Sequence, residues 1–244
     1  MASAVVHYTA AAATDRGRKR TSNEDAFAMS VEHGVYLLCD GMGGAAAGEV
    51  ASRLAVEEMI RLLTSRAEAM PLAQAAEEAV RATNEAIFSR SQRNARLRGM
   101  GTTLVGLLAE DCRVLAINVG DSRCYRLRNR SLEQLTVDHS LVDELVRAGQ
   151  ITPDAAPHSP LRNVITRALG TQSQVTPDIC EFEAEPGDLF LLCSDGLTRE
   201  LPDALIESLL GVDSPLDELC ARLVSAANTA GGNDNVTCLL VRAA

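Results

Sequence analysis

Short runs of apolar residues that stop on a carboxylate constrain this chain more than any other feature. Val35-Tyr36-Leu37-Leu38-Cys39 ends at Asp40-Gly41, and Leu189-Phe190-Leu191-Leu192-Cys193 leads into Ser194-Asp195-Gly196. Asp234-Asn235 stands immediately before a third strand-like run, Val236 to Val241. A short continuous apolar run is the pattern of a strand buried on both faces, because a half-exposed strand alternates apolar with polar residues. Glu24-Asp25 similarly leads into an extended segment, Ala26 to Met29.

The rest of the sequence supplies the cover that such strands need. Residues 46–64 set Val50, Leu54, Ile60 and Leu63 at spacings that fit one helix face. Residues 71–92 do the same with Leu72, Ala76, Ala79, Val80, Thr83 and Ile87, with Pro71 near the first turn. Strands follow at Thr102 to Leu108, Val114 to Val119, Arg123 to Leu127 and Glu133 to Leu135, separated by turn material such as Gly120-Asp121-Ser122. The segment 138–172 is different, with a short amphipathic helix (Leu141 to Ala148) followed by Pro153, Pro157 and Pro160. Two more helices are expected near 202–210 and 215–228, the second with Ser214 as N-cap, Pro215 at N1 and Asp217 at N3. This order is not the regular β-α-β alternation of a doubly wound parallel sheet. It predicts an α+β fold of antiparallel sheets with helical hairpins on their outer faces. With 244 residues, no internal repeat and no low-complexity linker, residues 1–244 read as a single domain.

Composition excludes several classes of function. No segment approaches the roughly 18–20 uncharged apolar residues that span a bilayer. The stretch Met1 to Thr14 is apolar but opens without a basic region and is interrupted by His7 and Tyr8, which argues against a signal peptide. Seven cysteines lie singly, several inside apolar runs, with no C-x-x-C pair and no zinc-like His spacing. They read as reduced thiols in a reducing compartment, so the cytoplasm is the expected location. The net charge of −10 argues against nucleic acid and anionic membranes as partners.

Asp or Asn beside Gly is ordinary turn chemistry at any one position. Taken together, acids at the ends of several nearly uncharged strands imply crowding, which costs several kcal/mol unless the acids protonate or bind cations. The candidate ligands are all oxygens, which suits Mg²⁺ or Mn²⁺ better than Zn²⁺. Two such ions about 3.5–4 Å apart can activate water and neutralise a phosphoryl group. The basic cluster Arg16, Arg18, Lys19 and Arg20 precedes Glu24-Asp25, where an Arg could clamp phosphate or the whole run could simply be solvated surface. Gly41-Met42-Gly43-Gly44-Ala45-Ala46 fits the dinucleotide-binding pattern G-x-G-x-x-A. However, Asp40 would face the pyrophosphate, and Glu57 and Glu58 fall inside a helix rather than at a second strand end.

Six segments in order, Arg20-x-x-Asn23-Glu24-Asp25, Asp40-Gly41-Met42-Gly43-Gly44, Gly101-Thr102-Thr103, Asn118-Val119-Gly120-Asp121-Ser122-Arg123, Ser194-Asp195-Gly196-Leu197 and Gly232-Asn233-Asp234-Asn235-Val236-Thr237, resemble the PPM-type (protein phosphatase 2C-like) metal-dependent phosphatases. They span about residues 20 to 240, and the compact length resembles a bacterial stand-alone member. The resemblance implies a central antiparallel β-sandwich flanked by helical hairpins, in four layers. It implies that Asp40 bridges two metals, that the Gly41 carbonyl binds the second, and that Asp195 and Asp234 hold the first. Glu24 and Asp25 would act through metal-bound waters, Arg20 would clamp phosphate, and Asp121 would serve a weaker third metal. The 138–172 segment matches the family's flap.

The activity implied is hydrolysis of phosphoserine and phosphothreonine on proteins by direct attack of a metal-activated water, reversing a bacterial serine/threonine kinase. Such enzymes are often monomers. Met42 stands where the D-G-H-x-G form has a His, which leaves a metal-bound water to protonate the leaving oxygen; His33, His139 and His158 are read as surface or structural. The alternative from another class is a catalytically silent regulatory module, against which the intact Asp40, Asp195 and Asp234 argue. A phosphatase of small phosphometabolites would share the same site.

Overall fold

The structure, a computed structural model, describes residues 6–67 and 69–244. In chain order its strands are β1 (Tyr8–Asp15), β2 (Asp25–Ser30), β3 (Val35–Met42), β4 (Gly101–Thr102), β5 (Leu104–Glu110), β6 (Arg113–Val119), β7 (Arg123–Arg128), β8 (Ser131–Gln134), β9 (Asp178–Glu183), β10 (Leu189–Cys193) and β11 (Val236–Ala243). The helices are α1 (Ala45–Thr64), α2 (Leu72–Arg93), α3 (Leu141–Arg147), α4 (Asp195–Thr198), α5 (Asp203–Leu210) and α6 (Leu216–Ala230). One sheet runs β1-β11-β10-β7-β8 and the other β2-β3-β5-β6-β9, with β4 paired to the end of β3. Every strand pairing is antiparallel.

The unbroken apolar runs are buried on both faces because each face meets a different layer. On β3, Tyr36 and Leu38 enter the seam between the sheets, while Val35, Leu37 and Cys39 pack against α1 and α2. On β10, Phe190 and Leu192 enter the seam, while Leu189, Leu191 and Cys193 meet α5 and α6. The expected four layers, helices-sheet-sheet-helices, are therefore present. No described helix is long and apolar enough to cross a membrane, and Cys39, Cys124, Cys193, Cys220 and Cys238 are buried thiols.

Three features depart from the sequence reading. Tyr8–Asp15, read from the sequence only as part of an apolar stretch, is an edge strand that pairs with β11 over its whole length. Its alanines alternate, Ala11 and Ala13 toward α6 and Ala10 and Ala12 toward the seam. Alanine has little strand preference, so here the partner strand decides. Met1 to Val5 of that stretch lie outside the described residues. Asp178–Glu183 is likewise an unanticipated strand, paired with β6. Finally, Ser214 does not cap α6: Pro215 takes the cap position and makes no side-chain cap hydrogen bond, while the Ser214 carbonyl accepts from Arg242.

Candidate active site

The acids singled out from the sequence converge at one end of the two sheets. Asp40 sits near the end of β3, directly across from Asp25 on β2. Its backbone is held on both sides: the Thr102 hydroxyl and Thr103 N–H donate to the Asp40 carbonyl at 2.8 and 2.9 Å, and the Asp40 N–H donates to Thr103 Oγ1 at 2.9 Å. Thr103 Oγ1 also shares a 2.7 Å hydrogen bond with Ser122 Oγ, which ties the Asp121 turn between β6 and β7 to the same strand end. Asp25 spans the two sheets, its Oδ2 accepting from Ser194 Oγ at 2.8 Å and Thr237 Oγ1 at 2.7 Å. Glu24 is buried, with its N–H on Asn235 Oδ1 and its carbonyl accepting from the N–H of Gly41 and the hydroxyl of Ser52.

Asp195 opens α4, and Asp234 lies in the loop before β11. A glycine at 196 lets these two segments meet, since a Cβ there would stand 1.9 Å from the Asn235 carbonyl oxygen. The obstacle is the Asn235 backbone, which cannot swing aside as a side chain can. Gly196→Ala is therefore expected to destabilise the protein by about 2 kcal/mol or more, read as a lower urea midpoint with an unchanged m-value.

Crowding and burial leave a clear electrostatic signature. Burial first, and then the charges of Asp25, Asp195, Asp121 and Asp234, push Asp40 well above the usual carboxylate range. Burial pushes Asp25 up to about 7 despite the hydroxyls of Thr237 and Ser194. Asp121 is also pushed up to about 7, by burial and then by Asp195. Burial raises Asp195 and Glu24 as well, with Arg199 pulling against it on Asp195 and Arg20 on Glu24. Asp25 Oδ1, Asp121 Oδ1 and Asp195 Oδ1 are buried with no hydrogen-bond partner. A buried unpartnered carboxylate oxygen is costly, and a hard cation is the ligand that relieves it.

The acids do not form a closed cage. Among the described residues, no three Asp, Glu, His or Cys side chains surround one point. Arg20 Nη2 rests on Asp234 Oδ2 at 2.7 Å, and Arg199 pairs with Asp195. Hydrated Mg²⁺ or Mn²⁺, which takes only one or two carboxylates at a time, does not need a cage. The oxygen-only donors and the orphaned carboxylate oxygens thus fit divalent ions. Gly41 stands beside this group at the end of β3, opposite Thr102.

An open cleft of about 630 Å³ adjoins the acids. Arg20, Asp121, Asp195, Asp234 and Arg199 line it, together with residues of the 138–172 segment such as Arg162. That segment is rooted where Leu169 exchanges two backbone hydrogen bonds with Thr102, one of the two residues that pin Asp40. Buried Asn84 holds the same end, accepting from Gly170 N–H at 2.8 Å and donating to the Gln172 carbonyl.

Of the basic cluster, Arg20 alone reaches these acids; Arg16 bonds the Thr21 carbonyl. The Gly41–Gly44 turn joins β3 to α1, but both neighbours of β3 are antiparallel, so the parallel βαβ frame of a dinucleotide site is missing. Glu57 and Glu58 pair with Arg53 and Arg61 on the outside of α1. His139 is buried, its Nδ1 accepting from Gly120 N–H at 3.0 Å and its Nε2 facing Asp178. It supports the Asp121 turn. His33 is exposed and bonds Ser30, and the side chain of His158 lies outside the described residues. Sequence reasoning missed Arg199, whose signal is its i+4 spacing from Asp195.

An antiparallel β-sandwich between helical layers, with clustered carboxylates at its rim, defines a class that comparison identifies. Residues 14–240 match the Protein phosphatase 2C family, and the chain belongs to that family. It is 40% identical over 238 residues, 93% of each chain, to the serine/threonine phosphatase stp of Listeria monocytogenes serotype 4b. The crystal structure of the Mycobacterium tuberculosis serine/threonine phosphatase PstP/Ppp superposes with a TM-score of 0.89 at 39% identity, over 98% of both chains. The catalytic domain of PstP, in complex with two manganese ions, superposes at 0.88 with 38% identity, over 98% of this chain and 99% of that one.

Proposed function

We propose that the chain is a metal-dependent protein phosphatase that hydrolyses phosphoserine and phosphothreonine on proteins. The observation that carries this reading is the group of buried, unpartnered carboxylate oxygens on Asp25, Asp121 and Asp195, gathered around Asp40 beside a cleft that Arg20 lines. Asp40 and the Gly41 carbonyl, with Asp195 and Asp234, would hold two divalent cations, and Glu24 and Asp25 would support them from β2. When bound, Mn²⁺ or Mg²⁺ supplies an activated water and neutralises charge on the phosphoryl oxygens.

The chain's own residues do the rest. Arg20, half exposed at the cleft, has guanidinium N–H groups in the planar fork that suits phosphate oxygens. The Ser194 and Thr237 hydroxyls orient Asp25, and the Thr102-Thr103 pair fixes Asp40, so that the acids do not swing as charge shifts. The 138–172 segment, which contributes Arg162 and Asn163 to the cleft lining, acts as a flap that meets the protein around the phosphorylated side chain. Met42 offers no proton. The natural counterpart is a serine/threonine kinase acting in the same cytoplasm, and the chain works as a monomer.

The test is phosphate release from phosphothreonine, phosphoserine and phosphotyrosine peptides, with Mn²⁺ and after EDTA. Turnover of the first two is expected, abolished by EDTA and restored when Mn²⁺ is returned. A folded protein that binds Mn²⁺ yet turns over no phosphopeptide would sink the proposal.

A further inference from the structure

Arg199 lies where the sequence led us to expect a third cation. It follows α4 directly, four residues after Asp195, so one helical turn brings the two side chains to the same face. Its Nη2 pairs with Asp195 Oδ2 and stands 3.4 Å from Asp121 Oδ2, and its Nη1 stands 3.9 Å from Asp234 Oδ2. One guanidinium therefore lies among three carboxylates drawn from the β6–β7 turn, α4 and the loop before β11. The carboxylates of Asp121 and Asp195 are 7% and 11% exposed, and Arg199 is 32% exposed, so water screens this group only partly.

A divalent ion bridging Asp121 Oδ2 and Asp195 Oδ2 would need the space in which these two atoms converge on Nη2. It would also have to approach a guanidinium that stays charged at every working pH. Resting on the two-cation reading above, we propose that Arg199 is a built-in counter-cation that takes the place of a third divalent ion between Asp121 and Asp195. The site then loads two exchangeable cations. The third position carries a fixed single charge that no chelator removes, and that charge also positions the Asp195 carboxylate.

The experiment is a Mn²⁺ titration of the full chain by calorimetry and by electron paramagnetic resonance of free Mn²⁺. The proteins are wild type, Arg199→Ala, Arg199→Gln and the double variant Arg199→Ala/Asp121→Asn. Circular dichroism in Mn²⁺ checks that each is folded, and Arg199→Gln carries the test should Arg199→Ala fail to fold. The expected result is two equivalents bound by wild type, one further and weaker equivalent in Arg199→Ala or Arg199→Gln, and its loss in the double variant. Three equivalents in wild type, or no gain in either folded single variant, would overturn the assignment of Arg199. A wild type that binds no Mn²⁺ at all would instead remove the two-cation reading, and this inference with it.

Discussion

Replacing Asp40 with Asn is expected to lower kcat on a phosphothreonine peptide by at least about a thousandfold, or ~4 kcal/mol of transition-state stabilisation. The same change is expected to make the metal-free protein more stable. The two effects have one cause. Asp40 is crowded by Asp25, Asp195, Asp121 and Asp234, and its charge is useful only when cations offset it. An amide removes that charge and keeps the shape. The hydrogen bonds from Thr102 and Thr103 that pin residue 40 run to its backbone, so the strand end keeps its geometry in the variant. In EDTA at pH 8 the variant should therefore melt higher, by about 1–3 kcal/mol of stability. In saturating Mn²⁺ the order should reverse, because the wild type gains more from cation binding. A variant within tenfold of wild-type turnover, or one that melts lower in EDTA, would show that Asp40 is not the acid around which the cations assemble.

Asp40, Asp195 and Asp234 could be read from the sequence because each interrupts or borders an apolar run. A charge beside a strand that is buried on both faces has few places to be except the sheet rim. The helical hairpins were equally plain, since α1 and α2 repeat apolar residues with helical spacing over twenty or more positions. What escaped has a common physical reason: its signal lies in a partner far along the chain. The alanines of β1 carry no strand signature until β11 supplies eight paired residues. Arg199 is one more surface-like arginine until α4 turns it onto Asp195 and the β6–β7 turn brings Asp121 to meet it. The supports of Asp25 are hidden in the same way, because Ser194 and Thr237 lie 169 and 212 residues away in sequence. At Ser214 the local pattern was present but misleading, since Pro215 rather than the serine takes the cap.

The metal-free protein should lose stability as pH rises from about 5 to 8, opposite to the usual behaviour of a protein whose acids are salt-bridged. The unfolded chain titrates its aspartates near 3.8, whereas in the fold burial holds Asp25 and Asp121 up to about 7 and lifts Asp40 and Asp195 as well. Between these values the folded state binds more protons than the unfolded one, so stability falls with rising pH. The contribution is complete below the unfolded value and is lost as pH climbs through the raised ones. Asp25 and Asp121 alone are worth on the order of 5 kcal/mol across that window. For a chain of this length, that is a fall of roughly 10 °C or more in Tm. His139, which burial holds below its ordinary value, contributes with the opposite sign around pH 6, but as one group against several raised acids. Saturating Mn²⁺ should invert the slope, because the cation binds only the ionised carboxylates and so gains affinity as protons leave. Thermal melts at pH 5, 6, 7 and 8, in EDTA and in Mn²⁺, give both curves, and they should diverge steadily with pH. Metal-free melts that stay level or climb across this range would mean that the acids are relieved by something other than protons, and the argument for cations from their crowding would fall.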